Sequence, residues 1–222
     1  MRSGSELTRM LYPVLMGAGL SILAGHGMAE PVETQKIITA LTGDFNGDGA
    51  QDLVVIAETQ PGEPHDMHFF LRDKAHNYLR QADVVRGRID GEWNGYDRPG
   101  YGESDTEPDL SLLPNGSIRI RIPALPLGSE RMDQTLTIAY RDGRFVVAGF
   151  AYAYVDYLGN ETHDGEGKNS RCEYDLLTGK GKSATLDRQG RRVEKSVEVA
   201  PRMVAFADWN FSDSLAACGV AE

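Results

Sequence analysis

The sequence has few cysteines, more acidic than basic residues and no long hydrophobic run. Its two cysteines, Cys172 and Cys218, are too few for a cysteine-rich zinc site. Its 23 Lys and Arg residues are scattered among 33 Asp and Glu residues, which gives a formal net charge of −10. Because phosphate binding needs a basic patch, we do not expect nucleic acid as a partner. The apolar stretch at residues 10–24 is too short and too interrupted by glycine to predict a stable membrane span.

The amino-terminal segment has the layout of a secretory signal. Arg2 and Arg9 precede the apolar stretch, and small residues follow it as far as Ala29. We therefore expect residues 1–29 to be a signal peptide and residues 30–222 to form a single β-rich domain in the periplasm or outside the cell. Retention of the segment as an uncleaved anchor is the alternative.

The two cysteines are predicted to pair. An even number of cysteines in an exported chain indicates a disulfide, here between Cys172 and Cys218. The bridge would close about 46 residues and contribute roughly 4 kcal/mol in the chain-entropy model. Two buried free thiols are the alternative. A Cys-His metal site is disfavoured, because His163 is the only histidine in the carboxyl-terminal half.

Strand and turn signals dominate the rest of the chain. Short runs of β-branched and aromatic residues alternate with Gly, Asn, Asp and Pro, which is typical of antiparallel strands joined by tight turns. Residues 110–122 and 136–152 each fit a hairpin, the first around an Asn-Gly pair and the second around an Asp-Gly pair. We predict an all-β fold, either an antiparallel curved sheet or a β-sandwich. Helix is expected only just after the signal and at residues 208–218.

A loop rich in Asp, Asn and Gly has the spacing of a calcium site. Calcium takes about 6–8 oxygen ligands, often supplied by alternate residues of one loop. Gly47 and Gly49 allow the positive φ values that wrapping an ion requires. The loop therefore predicts a Ca²⁺ site, and its candidate ligands are Asp44, Asn46, Asp48, the carbonyl of Ala50, and Asp52. A turn of the same composition that binds no ion is the alternative.

The flanks of this loop favour strands over the helices of an EF-hand. Residues 37–41 and 53–57 are β-branched runs, and Val55 stands where an EF-hand has a bidentate Glu. Residues 39–57 resemble the FG-GAP or VCBS-type repeat, in which a D-x-D/N-x-D-G-x-x-D loop binds calcium between strands of a propeller blade. Only one copy is present.

A wider pattern, residues 136–149 with 174–181, is similar to uncharacterised exported proteins of proteobacteria that carry one FG-GAP-like loop. The resemblance implies a periplasmic location and supplies no activity.

A second candidate site lies in the acidic and aromatic segment at residues 92–109. Its acids alternate, so that an extended chain would place them on one face beside the aromatic rings. Carbohydrate binding by ring stacking or glycan hydrolysis by paired carboxylates would use these groups, and a solvated surface loop is the alternative. The candidate ligand-binding residues are Trp93, Tyr96, Tyr101, Glu103 and Asp105.

The sequence thus predicts an exported calcium-binding β-domain with a non-catalytic binding or envelope-structural role. It contains neither a G-x-S-x-G elbow nor an H-E-x-x-H helix, and we assign no catalytic residue. The alternative is a carbohydrate-binding module or a periplasmic glycan hydrolase that uses residues 92–109. A protein or a glycan is expected as the partner, and its identity stays open.

Overall fold

Two antiparallel sheets make up most of the part of the chain that the structure describes. A computed structural model describes residues 36–60, 63–89, 108–123, 130–156, 169–187 and 190–219. The chain divides into two units, Met1–Val32 and Glu33–Glu222, and all of the described residues belong to the second. The predicted signal peptide, residues 1–29, lies outside the described ranges.

The smaller sheet is a meander of four strands in sequence order. Its strands are β1 (Lys36–Gly43), β2 (Asp52–Glu58), β3 (His65–Asp73) and β4 (Tyr78–Ile89). The pairing of Gly43 with Asp52 closes the β1–β2 hairpin, so the predicted calcium loop joins two antiparallel strands as expected.

The larger sheet follows the order β11-β10-β9-β8-β7-β6-β5, with β12 beside the start of β8. Its strands are β5 (Asp109–Leu112), β6 (Ile118–Pro123), β7 (Glu130–Arg141), β8 (Arg144–Asp156), β9 (Asn169–Asp175), β10 (Lys180–Leu186), β11 (Arg192–Glu198) and β12 (Val204–Ala205). The two predicted hairpins are β5–β6 and β7–β8.

The β7–β8 turn shows how local chemistry sets the register. Asp142 and Gly143 are the only two residues between the strands, and their φ values are 50° and 79°. Two successive positive φ values match the right-handed twist of a hairpin, and Asp-Gly is one of the few pairs that adopt them readily.

The sheets face each other across one hydrophobic core, which makes the fold a β-sandwich. Phe69 of β3 stacks on Phe145 of β8 with ring centroids 3.9 Å apart, and Phe206 meets Phe69 edge-on. Along β6, Ile120 is buried while its neighbours Arg119 and Arg121 are exposed. This alternation confirms the all-β prediction and shows that one face of the larger sheet is solvated at β6.

A short carboxyl-terminal helix closes one end of the core. Helix α1 (Phe211–Ala217) is preceded by its N-cap residue Asn210, whose side chain accepts a hydrogen bond from Ser212 N. Cys218 follows the helix and forms the predicted disulfide with Cys172 on β9. Within the described ranges, no helix is long and apolar enough to cross a membrane.

One histidine is buried on β3 without a hydrogen-bond partner. His68 lies between Val55 on β2 and Val84 on β4 and is 3% exposed. Neither of its ring nitrogens has a hydrogen bond. Burial lowers the pKa of His68, nearby Asp66 opposes this shift, and Arg86 adds to it. The imidazole is therefore neutral at pH 7.

Candidate metal centre

The predicted calcium loop, residues 44–51, is held together by its own side chains. Asp44 Oδ1 accepts a hydrogen bond from Asp48 N at 3.0 Å, and Asp44 Oδ2 accepts one from Gly49 N at 2.8 Å. Asn46 Oδ1 also accepts from Asp48 N at 3.0 Å. Asp48 Oδ1 accepts from Ala50 N at 2.8 Å. The loop thus brings three of the predicted ligand side chains together, namely Asp44, Asn46 and Asp48.

Glycine provides the backbone bends that this hydrogen bonding needs. Gly47 and Gly49 have φ values of 76° and 82°, in the left-handed region that side chains disfavour. Both glycines thus have the positive φ values that the sequence predicts for them.

Asp52, the fifth predicted ligand, anchors the loop to the sheet. It is 1% exposed, and its two carboxylate oxygens accept hydrogen bonds from Phe45 N at 3.0 Å and Arg72 N at 2.9 Å. Because Phe45 is itself buried in the core, the base of the loop is fixed on both sides.

Lys74 is a neighbour of the loop that the spacing of the loop residues does not reveal. Its Nζ donates to the main-chain oxygen of Asp48 and lies 3.6 Å from Asp48 Oδ1. Lys74 sits in the β3–β4 turn, 26 residues away in sequence. Only the pairing of β2 with β3 brings that turn beside the loop, so no local signal could have identified it.

Arg72 supports the other end of the loop. Its Nε donates to the Gln51 carbonyl at 3.0 Å. The acidic loop is thus flanked by two basic side chains from the end of β3 and the following turn. Neither would be expected from a calcium motif alone.

The β5–β6 turn of the larger sheet packs against the loop. Gly116 has a φ of 80°, and a Cβ atom there would lie 2.8 Å from the Asp44 carbonyl oxygen. A cleft of about 610 Å³ lies beside this contact, with Asp44, Gln51, Leu112 and Asn115 among its lining residues. The loop therefore touches both sheets and borders open space.

Electrostatics keep Asp48 ionised. The amide N–H of Ala50 is the main cause that lowers the pKa of the Asp48 carboxyl; desolvation opposes this shift, and the Asn46 side chain and the Lys74 ammonium add to it. Asp48 is thus a carboxylate at neutral pH.

The donor set has the chemistry that calcium prefers. Every predicted ligand atom is an oxygen, and each carboxylate oxygen has two lone pairs, so the hydrogen bonds described above leave capacity for a cation. The Lys74 ammonium stands in for a metal cation at this loop, because it contacts the Asp48 main-chain oxygen and lies near Asp48 Oδ1.

The number of converging acids is small. In the part of the chain that the structure describes, no group of three or more His, Cys, Asp or Glu side chains could hold a metal ion. The residues that would hold calcium are Asp44 and Asp48 through carboxylates, Asn46 through its amide oxygen, and main-chain carbonyls.

No protein-family model, curated protein or solved structure matches this chain. The resemblance to the FG-GAP or VCBS-type repeat therefore rests on residues 39–57 and their spacing.

The second candidate site was placed in the acidic and aromatic segment at residues 92–109. Trp93, Tyr96, Tyr101, Glu103 and Asp105 all lie outside the described ranges. Their proposed roles stay predictions.

Proposed function

We propose that residues 44–52 bind Ca²⁺ and that the protein is an exported β-sandwich with a non-catalytic binding or envelope-structural role. The observation that carries this proposal is the preorganised loop. Backbone N–H groups hold the oxygens of Asp44, Asn46 and Asp48 close together, and an ammonium group is drawn to the same place.

Bound calcium would neutralise the acidic loop. This chain's own residues then transmit the effect. Asp52 ties the loop to β3 through Arg72 N, and the Asp44 carbonyl touches the β5–β6 turn at Gly116. A loop fixed in this way would hold the ends of both sheets in one arrangement beside the adjoining cleft.

The disulfide supports the proposed location outside the cytoplasm. The Cys172–Cys218 disulfide is compatible with an exported protein, since disulfides persist in oxidising compartments. Together with the predicted signal at residues 1–29, it favours the periplasm or the cell exterior, where the protein would be a single-repeat member of the FG-GAP or VCBS type.

Thermal unfolding in calcium and in chelator tests the proposal. A ligand at about 100 times its Kd stabilises a fold by about 2.7 kcal/mol, which is about 5–10 °C in Tm for a chain of this size. We expect the exported chain, with its disulfide formed, to show a rise of this order in calcium relative to EGTA.

Two variants make the measurement specific. Asp48→Asn removes one loop charge and should abolish most of the rise. Asp133→Asn is the matched control, since Asp133 is an exposed acid on the larger sheet that pairs with Arg121. Equal Tm values in calcium and EGTA for the unaltered chain would refute calcium binding.

A further inference from the structure

The β3–β4 turn places a positive charge inside the candidate calcium loop. Lys74 Nζ donates to the Asp48 main-chain oxygen and lies 3.6 Å from Asp48 Oδ1. We propose that Lys74 is a tethered competitor of calcium, whose ammonium neutralises the loop in the absence of the ion and leaves when the ion binds. This inference rests on the proposed function and concerns the regulation of the same site.

The turn that carries Lys74 is fixed. Asp73 Oδ1 accepts hydrogen bonds from Ala75 N at 2.9 Å and His76 N at 3.2 Å, and Asp73 Oδ2 lies 3.2 Å from His76 Nδ1. Its backbone therefore presents Lys74 to the loop at a constant position. The side chain itself is 54% exposed, so it has solvent into which it can swing.

The contact is suited to competition because it is accessible. An exposed ion pair shifts an equilibrium by a factor of about 1–5. If the ammonium is bound to the loop with an equilibrium constant of about 1–5, it weakens the apparent affinity for calcium by about 2–6-fold, because the ammonium must leave before the ion binds. It does not block the site.

The same contact stabilises the loop without the ion. Asp44 and Asp48 lie close together and would repel each other when no cation is near. The Lys74 ammonium offsets this repulsion. Removing its charge should therefore have opposite effects in two conditions, a lower or unchanged Tm in chelator and a larger rise on adding calcium. A lysine with a purely structural role would lower both.

Calorimetric titration of the exported chain with CaCl₂ tests the inference. Lys74→Gln should bind calcium about 2–6-fold more tightly than the unaltered chain. Lys74→Arg keeps the charge and should bind with the unaltered affinity. Lys195→Gln, on exposed β11 at the opposite edge of the larger sheet from β5, is the matched control and should change nothing.

The outcomes separate this inference from the proposed function. Equal affinity in the unaltered chain and Lys74→Gln would overturn the competition and leave calcium binding standing, and so would weaker binding by Lys74→Gln. Binding by Lys74→Gln alone would mean that Lys74 blocks the site, which would overturn both the proposed competition, with its effect of about 2–6-fold, and calcium binding by the natural chain. No binding by either protein would overturn both. Circular dichroism of each variant shows whether a loss of binding reflects a loss of fold.

Discussion

His68 shows how one buried side chain can link stability to pH. Its imidazole lies between Val55 and Val84 with no hydrogen bond to either nitrogen, and burial lowers its pKa. In the unfolded chain a histidine titrates near pH 6.5. Below that pH the unfolded state binds the proton while the folded state does not, so acid favours unfolding.

We therefore expect the free energy of unfolding to fall as the pH drops below about 6.5, and to go on falling until the lower pKa of folded His68 is reached. The slope from this residue is at most about 1.4 kcal/mol per pH unit. Urea denaturation between pH 8 and pH 5 measures it. His68→Leu should flatten the curve over this range, whereas His76→Gln, in an exposed turn, should retain the dependence on His68. An unchanged slope in His68→Leu would contradict this account.

Lys74 and Asp52 show which site residues a sequence reveals. The D-x-D/N-x-D-G-x-x-D spacing selects Asp44, Asn46 and Asp48 as candidate ligands because they lie within one short loop. It also singles out Asp52, but it cannot show that this carboxylate is buried against Arg72 N. Lys74 has no local signal, since its contact depends on the register of β2, β3 and β4. The sequence therefore does not reveal neighbours of the loop whose contacts depend on long-range strand pairing.

At the scale of the elements, a comparison of two turn glycines distinguishes the effect of backbone strain from the effect of contact with the loop. Gly116 and Gly143 have nearly equal φ values of 80° and 79°. A Cβ at Gly143 would meet nothing within 4 Å, whereas one at Gly116 would lie 2.8 Å from the Asp44 carbonyl oxygen. Alanine at either position adds the same conformational strain, and only at Gly116 would its Cβ overlap the candidate calcium loop.

Gly143→Ala should cost about 1–2 kcal/mol, the penalty of a left-handed conformation for a residue with a side chain. Gly116→Ala should cost more, about 2–4 kcal/mol, because steric overlap adds to that strain. It should also reduce the stabilisation by calcium. Urea denaturation of both variants, each in calcium and in EGTA, measures the difference. If Gly116→Ala lowers the free energy of unfolding by the same amount in calcium as in EGTA, the β5–β6 turn does not support the loop.

The elements themselves were largely readable from the sequence. Alternation of Ile with Arg along β6 and the Asp-Gly pair at the β7–β8 turn each specify a strand or turn locally. The division into a four-stranded and a larger sheet was not readable. It depends on which residues meet across the core, such as Phe69 and Phe145, and these are far apart in sequence.

At the scale of the whole molecule, the disulfide is the main covalent constraint. Helix α1 has seven residues, too short to persist in water without tertiary contacts. The Cys172–Cys218 bridge attaches its end to β9, and both cysteines are buried, at 3% and 6% exposed. The chain-entropy model gives roughly 4 kcal/mol for closing a loop of about this length.

Replacing both cysteines with serine should therefore lower the free energy of unfolding by roughly 4 kcal/mol. Hydrogen exchange should show where the loss begins. We expect amides of α1 to lose protection first, while those of β2 and β3 at the centre of the smaller sheet exchange more slowly. Uniform loss of protection across the domain would contradict a local role for the bridge.

The exposed strand β11 has a consequence for how these molecules behave together. Among the described strands it ends the larger sheet, and within these ranges one side of its backbone has no partner strand. Nearly every residue of β11 is exposed, and its sequence places Arg192, Glu194, Lys195 and Glu198 along that border. A second copy that docked there would have to desolvate this row of charges. The charges of β11 thus disfavour edge-to-edge association of two copies of this protein.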